Sequence, residues 1–383
     1  MDEADCASEF FEVVKTGSIP YNDLRPIVHE ACFMSTVYAV IIAGGRGERF
    51  WPLSTDRVPK PFIPLLERRT LIQQTVDRLL PLLPPERMLI SIGEAHREIA
   101  AAQLPQIPPE NFIVEPVGRD TAPCLGYCAL HIEQRDPDAV LFALPADHYI
   151  ADSAAYRRTI EKGISALPGA SGVVFGIRPV RPETGYGYVQ AQESEPAAEF
   201  LSVLRFVEKP DLDRARAYQA AGDYFWNSGM FVWRNRTLLQ LIEKHMQELH
   251  RGLAALRPLI GRQESRAELH RIFATLPRIS IDFGIMEKTL GLRLVPAEFV
   301  WDDIGNWGAL ARALPHDADS NVSLGAHLAL ESSRCITYSD AGVVATFGVS
   351  DLIVIHAQGK VLVCSKDRAG ELKRVLAALG PEA

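Results

Sequence analysis

Between residues 37 and 176 the chain repeats one rhythm, a short apolar run followed by an amphipathic stretch and then another apolar run. The apolar runs fall at 37–43, 87–93, 111–115, 139–144 and 172–176. None alternates polar with apolar residues, which is the pattern of strands buried on both faces. Helical stretches near 70–83, 95–104, 121–135 and 153–166 separate them. Parallel strands need crossovers of about that length. The rhythm therefore predicts an α/β fold, a doubly wound, mostly parallel sheet with helices on both faces.

Beyond residue 177 the rhythm becomes mixed. Strand-like pieces at 186–191 and 201–207 precede a helix near 211–221, and 225–233 reads as a strand before long helical stretches. After about 315, short strand-like pieces punctuated by glycine appear at 342–347, 351–356 and 360–364, with a final helix near 368–379. The expected division is a loosely ordered extension over residues 1–33, an α/β domain over 34–315 and a small β-rich unit over 316–383. That last unit has the character of a short β-helix, without a repeat clean enough to define it. Met34 stands just before the first strand and is an alternative start.

Composition narrows the class. Hydrophobic residues make up 47% of 383, enough for a large core. The net charge of −8 argues against a nucleic-acid partner, which calls for a basic face, while leaving room for a local basic pocket. The six cysteines form no CxxC pair, and no histidine cluster has zinc-ligand spacing. Cys124 and Cys128, four apart on a helix, read as buried reduced thiols. No apolar run approaches the ~20 residues of a membrane helix. Asp2, Glu3 and Asp5 are wrong for the basic start of a signal peptide. These features point to a cytoplasmic protein without a membrane partner.

The first strand runs into Gly44-Gly45-Arg46-Gly47-Glu48-Arg49-Phe50-Trp51-Pro52. Glycines at that point sit at the carboxyl edge of the sheet, where ligands bind and where backbone N–H groups can close on phosphate oxygens. The segment is not a P-loop, since position 49 is Arg, and a dinucleotide-binding fingerprint fails at Phe50. Lys60 follows between Pro59 and Pro61, a stiff extended setting beside the loop. Gly44, Gly45, Gly47, Arg49 and Lys60 thus suit a triphosphate; the alternative is a solvated surface loop.

Residues 44–62, GGRGERFWPLSTDRVPKPF, resemble the signature of the sugar-phosphate nucleotidylyltransferase family. The Phe-Trp-Pro and Pro-Lys-Pro-Phe forms are most similar to its mannose-1-phosphate guanylyltransferase (GDP-mannose pyrophosphorylase) branch. The similarity continues from about 37 to 375, and it is to the single-activity form, not to the form fused to an isomerase. It implies the nucleotide-diphospho-sugar transferase type of sheet and a homodimer.

Further motifs carry the resemblance. Glu115-Pro116-Val117-Gly118-Arg119-Asp120-Thr121 is similar to the base-holding segment, with Asp120 where Asn is usual. A carboxylate at Glu115 could accept from two adjacent donors of guanine, and Thr121 would join the nucleotide site. Either Asp120 or Thr121 also suits a helix N-cap. In Leu144-Pro145-Ala146-Asp147-His148 the resemblance makes Asp147 a ligand of Mg²⁺ and leaves His148 structural; a lone strand-end Asp can also be a cap. Val300-Trp301-Asp302-Asp303-Ile304-Gly305 is similar to the second metal motif, with Asp303 as ligand and Asp302 the lesser choice. Glu183-Thr184-Gly185-Tyr186-Gly187-Tyr188, Phe206-Val207-Glu208-Lys209-Pro210 and Asn227-Ser228-Gly229 match sugar-phosphate motifs. They imply roles there for Gly187, Glu208, Lys209 and Asn227; a turn is the alternative for Asn227. Glu208 and Lys209 reach one ligand only if their strand ends there, as Pro210 suggests. Asp282 reads as a helix N-cap.

The activity implied is transfer of GMP from GTP to mannose 1-phosphate, with Arg49, Lys60 and Lys209 as catalytic cations and Mg²⁺ as cofactor. The rivals are the same chemistry on glucose or heptose 1-phosphate or with another nucleotide, and a silent nucleotide-sugar-sensing homologue. Such a homologue would lack a metal aspartate or the lysine, and Asp147, Asp303, Arg49 and Lys60 are all present. Because residues 1–33 lack periodicity, a chain starting at Met34 should keep near-parental kcat; a large loss with folding intact would overturn that reading.

Overall fold

The structure, a computed structural model, describes residues 36–45, 47–193, 199–262 and 265–380. The extension expected over residues 1–33 lies outside them. In chain order the strands are β1 (Val37–Ile42), β2 (Met88–Gly93), β3 (Phe112–Glu115), β4 (Val140–Pro145), β5 (Tyr149–Ile150), β6 (Gly172–Ile177), β7 (Tyr188–Glu193) and β8 (Leu201–Val207). They continue with β9 (Tyr224–Arg234), β10 (Leu292–Pro296), β11 (Trp301–Asp302), β12 (Val322–Leu330), β13 (Ile336–Phe347), β14 (Leu352–Ala357) and β15 (Lys360–Ser365).

A nine-stranded sheet has the order β3-β2-β1-β4-β9-β6-β10-β8-β7. Seven of its strands point one way; β9 and β8 are reversed against their neighbours. The expected α/β sheet is therefore present. Four strands had no counterpart in the sequence reading, two of them the short pair β5 and β11. β10 inserts between β6 and β8, and β12 opens the C-terminal sheet.

The absence of alternation in the apolar runs has its cause here. Along β1, Val37, Ala39 and Ile41 enter one core while Tyr38 and Val40 enter another. The first core is closed by helices Leu71–Leu79, Arg97–Gln103 and Ser153–Ser165, through residues such as Ile72, Ala100 and Ile160. The second is closed by Thr121–Arg135, Asn235–His245 and Gln247–Leu256, through Leu125, Ile242 and Leu253. Both faces of the strand are dry, so both sets of side chains must be apolar. Cys124 and Cys128 are buried free thiols, as expected.

From β1 the chain steps to β2 and β3 on one side, then returns to β4 on the other. The carboxyl ends of β1 and β4 thus flank a topological switch point, the position where open α/β sheets bind ligands. β1 ends in the glycine loop, and β4 ends just before Asp147.

β12 to β15 form a separate four-stranded sheet, parallel except for the last pair. A third core joins it to the glycine loop: Phe50, Trp51 and Leu53 pack in one cluster with Ile304, Trp307, Ile336, Ile353 and Ile355. Trp307 is fully buried, and its indole N–H donates to the Trp51 carbonyl at 3.0 Å. Truncating a buried Trp costs roughly 3–5 kcal/mol. Trp307→Ala should destabilise by about that much in denaturant unfolding, with Trp307→Phe intermediate because the ring survives without its N–H. An alanine variant within about 1 kcal/mol of the parent would show that this core is not a structural junction.

Candidate active site

Gly44 and Gly45 leave β1 exposed, with open space where a side chain would stand. Gly47 is different. Its φ is +66°, and a Cβ there would collide with Lys60 Cβ and lie 2.8 Å from the Lys60 backbone nitrogen. The loop backbone therefore presses directly on Lys60, which only glycine permits. The single turn Glu48–Phe50 turns Phe50 into the third core and leaves Arg49 exposed.

Lys60 is 5% exposed. Its ammonium pairs with Asp147 Oδ2 at 2.9 Å and donates to the Asp303 carbonyl oxygen at 2.7 Å. It also lies 5.7 Å from the centre of the Phe50 ring. The segments of Asp147 and Asp303, far apart in sequence, both reach Lys60 because β5 and β11 pair antiparallel, Trp301 opposite Ile150 and Asp302 opposite Tyr149. That short ladder zips together the segments that follow β4 and precede Ile304.

The two neighbouring aspartates have different tasks. Asp302 is buried, held by both nitrogens of an Arg312 fork at 2.6 and 2.9 Å, and accepts from the Ile304 N–H at 2.9 Å. Asp303 instead accepts from the Tyr186 hydroxyl at 2.7 Å. A Cβ on Gly305 would stand 3.1 Å from Asp303 Oδ2 and 3.5 Å from Arg49 Nη1, so this carboxylate and Arg49 flank one glycine. Ile304 has φ +44°, a left-handed conformation that a β-branched residue adopts only under constraint, and such strain gathers at functional sites. Burial alone would raise the Asp147 pKa; the Lys60 ammonium outweighs it and holds the carboxyl below its usual value. Burial pushes His148 down to about 4. The Trp301 indole N–H, a donor only, reaches His148 Nδ1 at 3.0 Å, so the ring is neutral with its proton on Nε2.

Asp147 and Asp303 supply hard oxygen donors without His or Cys. Among the described residues no group of three or more potential ligands could hold a metal unaided. That set fits Mg²⁺, which binds one or two carboxylates and completes its octahedron with water and substrate phosphates.

A cavity of about 230 Å³ lies over this edge, lined in part by Gly45, Pro61, Thr121, Asp147, Gly229 and Asp282. Asp120, at φ +72°, caps the helix Thr121–Arg135 by accepting from the Thr121 N–H at 2.7 Å. Thr121 Oγ1 accepts from the Ile281 N–H at 2.8 Å, docking the helix start on the segment that carries Asp282. Glu115 ends β3 but does not line this cavity. It is buried, Ser91 Oγ donates to its Oε1 at 2.8 Å, and burial raises its pKa.

On the sugar side, β8 ends at Val207, the ending Pro210 suggested, and Lys209 turns at φ +48°. Lys209 Nζ pairs with Glu208 Oε1 at 2.9 Å, while Glu208 Oε2 is buried without a partner. A Cβ on Gly187 would collide with that oxygen and lie 3.2 Å from Asn227 Cβ, so Gly187 opens the space between them. Asn227 is engaged at both ends: its carbonyl accepts from the Gly229 N–H at 3.0 Å and its amide donates to Asp282 Oδ1 at 2.8 Å.

Asp282 corrects the sequence reading. It is not the cap of helix Ile281–Gly284; Ser280 is, accepting from the Phe283 N–H. Burial first, and the nearby Glu208 carboxylate second, push the Asp282 pKa up to about 7. Ser280, two positions earlier, was the signal that the cap role was already taken.

The raised pKa fixes a sign. A carboxyl that titrates higher in the folded chain than in the unfolded one binds its proton more tightly when folded. The folded state therefore loses stability as pH rises from about 4 to about 7. Asp282→Asn removes this loss. Its melting temperature relative to the parent should climb by a few degrees across that window and level off above it. A difference that is flat with pH would remove the cost assigned to the Asp282 charge.

The sequence matches the Nucleotidyl transferase family over residues 38–320 and the MannoseP isomerase/GMP-like beta-helix domain over 325–379. It is 35% identical over 355 residues to the mannose-1-phosphate guanylyltransferase of Escherichia coli K12, covering 89% of this chain and 73% of that protein. It is 36% identical over 345 residues to the alginate biosynthesis protein AlgA of Pseudomonas aeruginosa, covering 88% and 71%. A crystal structure from Thermus thermophilus, described as a mannose-1-phosphate geranyltransferase, superimposes with a TM-score of 0.82 at 41% identity, covering 91% of this chain and 100% of that one. With a family match spanning most of the chain and relatives of this identity over most of their own length, the chain belongs to the nucleotidyl transferase family, in the branch of the mannose-1-phosphate guanylyltransferases.

Proposed function

We propose that the protein transfers GMP from GTP to mannose 1-phosphate, forming GDP-mannose and pyrophosphate. The observation that supports this reading is that Lys60, pressed against the glycine loop at Gly47, reaches both the Asp147 carboxylate and the Asp303 backbone carbonyl at the switch point of the sheet. A sugar phosphate has a second pKa of roughly 6 and is already nearly dianionic at neutral pH, so its oxygen can attack the α-phosphorus without a general base. What remains is alignment and neutralisation of charge. Asp147 and Asp303 would hold Mg²⁺, which would supply positive charge to offset that of the phosphates. The amides of Gly44 and Gly45 face the triphosphate, with Gly47 allowing the loop's close approach and Thr121 lining the nucleotide side. Arg49 and Lys60 stabilise the departing pyrophosphate; to reach it, the Lys60 ammonium exchanges its present bond to Asp147. Lys209 orients the sugar phosphate, and Glu208, across from Gly187, accepts from sugar hydroxyls. Glu115 contributes to guanine selection by supporting Ser91 and the helix start. Following the family resemblance, the reading extends to a cytoplasmic homodimer in which residues 34–315 carry the chemistry and 316–383 brace it. Among the described residues no helix is long and apolar enough to cross a membrane.

A pyrophosphate-release assay across nucleoside triphosphates and sugar 1-phosphates should peak at GTP with mannose 1-phosphate; a flat matrix, or a different peak, overturns the assignment. Asp147→Asn and Asp303→Asn should each nearly abolish turnover with the fold intact. Raised Mg²⁺ should restore part of it, because weaker binding yields to mass action. The double variant should lose little more than either single, since ligands of one ion act as a unit. Full activity of either single variant at low Mg²⁺ would remove that residue from the metal site.

A further inference from the structure

We infer that Tyr186 is the positioning residue of Asp303: its hydroxyl occupies Oδ1 of that carboxylate and so assigns the other oxygen, Oδ2, to the metal. The inference deepens the proposed function and rests on it in one respect, that Asp303 is a ligand of Mg²⁺.

The two aspartates are held in different ways. Asp147 has an ammonium, that of Lys60, at Oδ2. To Asp303 the same ammonium gives only a bond at the backbone carbonyl. The Arg312 fork goes to the preceding residue, Asp302. Among the described residues the one side chain that hydrogen bonds to the Asp303 carboxyl is Tyr186, at Oδ1 and 2.7 Å. The terminal torsion of an aspartate is broad, so a single donor at one oxygen decides which way the group faces. An ionised carboxylate only accepts, so the proton of this bond comes from the phenol.

Tyr186 is itself fixed from several sides. It is 8% exposed. Its ring stands edge-on to Trp226 of β9 at 5.4 Å and to Trp301 of β11 at 5.2 Å. Arg181 lies over the same Trp226 ring at 4.8 Å, donates through Nη2 to the Tyr186 hydroxyl oxygen at 3.4 Å and pairs with Asp302 Oδ2 at 3.7 Å. The hydroxyl thus accepts one bond and donates the other, which leaves it no second direction. Trp301 carries the aromatic stack on to His148, the neighbour of Asp147, so one cluster of rings places both aspartate segments.

The other oxygen has a different surrounding. A Cβ on Gly305 would stand 3.1 Å from Asp303 Oδ2 and 3.5 Å from Arg49 Nη1, so the glycine keeps the Oδ2 flank clear on the side of the loop cation. Mg²⁺ takes one oxygen from such a carboxylate and fills its octahedron with water and phosphate. Capture by both oxygens would displace the phenol. A donor on the oxygen that does not ligate holds the one that does, and losing an outer partner of this kind costs roughly 10–100-fold in metal affinity.

The test titrates Mn²⁺ as the probe into the full chain without nucleotide, followed by calorimetry, and measures kcat against Mg²⁺ beside it. Tyr186→Phe keeps the ring and its tryptophan contacts and removes only the hydroxyl. It should weaken Mn²⁺ binding by roughly 10–100-fold. Its turnover should fall at low Mg²⁺ and return to within about threefold of the parent at saturating Mg²⁺, because the defect is one of occupancy. Combined with Asp303→Asn, it should bind Mn²⁺ no more weakly than Asp303→Asn alone, since the hydroxyl acts through that carboxyl. Tyr188→Phe removes the other tyrosine hydroxyl of the motif, which accepts from the Glu183 N–H at 2.9 Å, and should leave Mn²⁺ affinity at the parental value. Parental Mn²⁺ affinity in Tyr186→Phe, with Asp303→Asn weakened, overturns the inference and leaves the metal reading standing. Losses that add in the double variant, or an equal loss in Tyr188→Phe, overturn it as well, because either marks a general disturbance of the loop. An Asp303→Asn variant that binds Mn²⁺ as the parent does overturns the metal reading and the inference with it.

Discussion

One buried ammonium ties the site together. Lys60 is pressed from behind by the backbone at Gly47 and reaches both Asp147 and the backbone of Asp303. Three segments that share nothing in sequence, the glycine loop, the end of β4 and the end of β11, are thereby fixed to one point. Buried ion pairs contribute little net stability because desolvation offsets attraction, yet removing one partner strands the other and costs several kcal/mol. The arrangement is therefore better understood as a device for position than for stability. It holds the Asp147 carboxylate and the Asp303 backbone against one ammonium at the edge of the sheet.

Much of this was legible in the chain. The unalternating runs that become β1, β2, β3, β4 and β6 could only be strands buried on both faces, and the glycines after β1 could only lie at a carboxyl edge. Pro210 announced where β8 would stop, just before Glu208 and Lys209. The failures have physical causes too. Asp282 was misread because a carboxyl near a helix start has a sufficient local explanation, and only the packing against Asn227 and Glu208 supplies the other one. β10 is five residues long and finds its partners, β6 and β8, far away in sequence, so no local pattern marks it. The bond from Ser91 to Glu115 was not legible either, because it joins the ends of two strands that only the fold brings side by side. The Lys60 pair was invisible for the same reason: the sequence shows the cation and the carboxylate, not that they meet.

The two ends of the cleft handle charge in opposite ways. At the phosphate end, acids and bases are matched, and the Asp147 carboxyl is held low. At the sugar end, Glu208 and Asp282 outnumber the single Lys209, and Asp282 is pushed toward neutrality. The unsatisfied oxygen of Glu208 and the strained backbone at Ile304 show that the site gives up some folding stability to keep this geometry ready.

The third core has a consequence for how the molecule opens and closes. Phe50 and Trp51 immediately follow the phosphate loop, and Ile304 and Trp307 immediately follow Asp303, yet all four are packed by side chains from the C-terminal sheet. Loosening that sheet would release the glycine loop and Asp303 in the same event. The two ends of the chain therefore form one cooperative folding unit centred on the cleft. Whatever binds, strains or melts the small sheet is felt directly by the glycine loop and by Asp303.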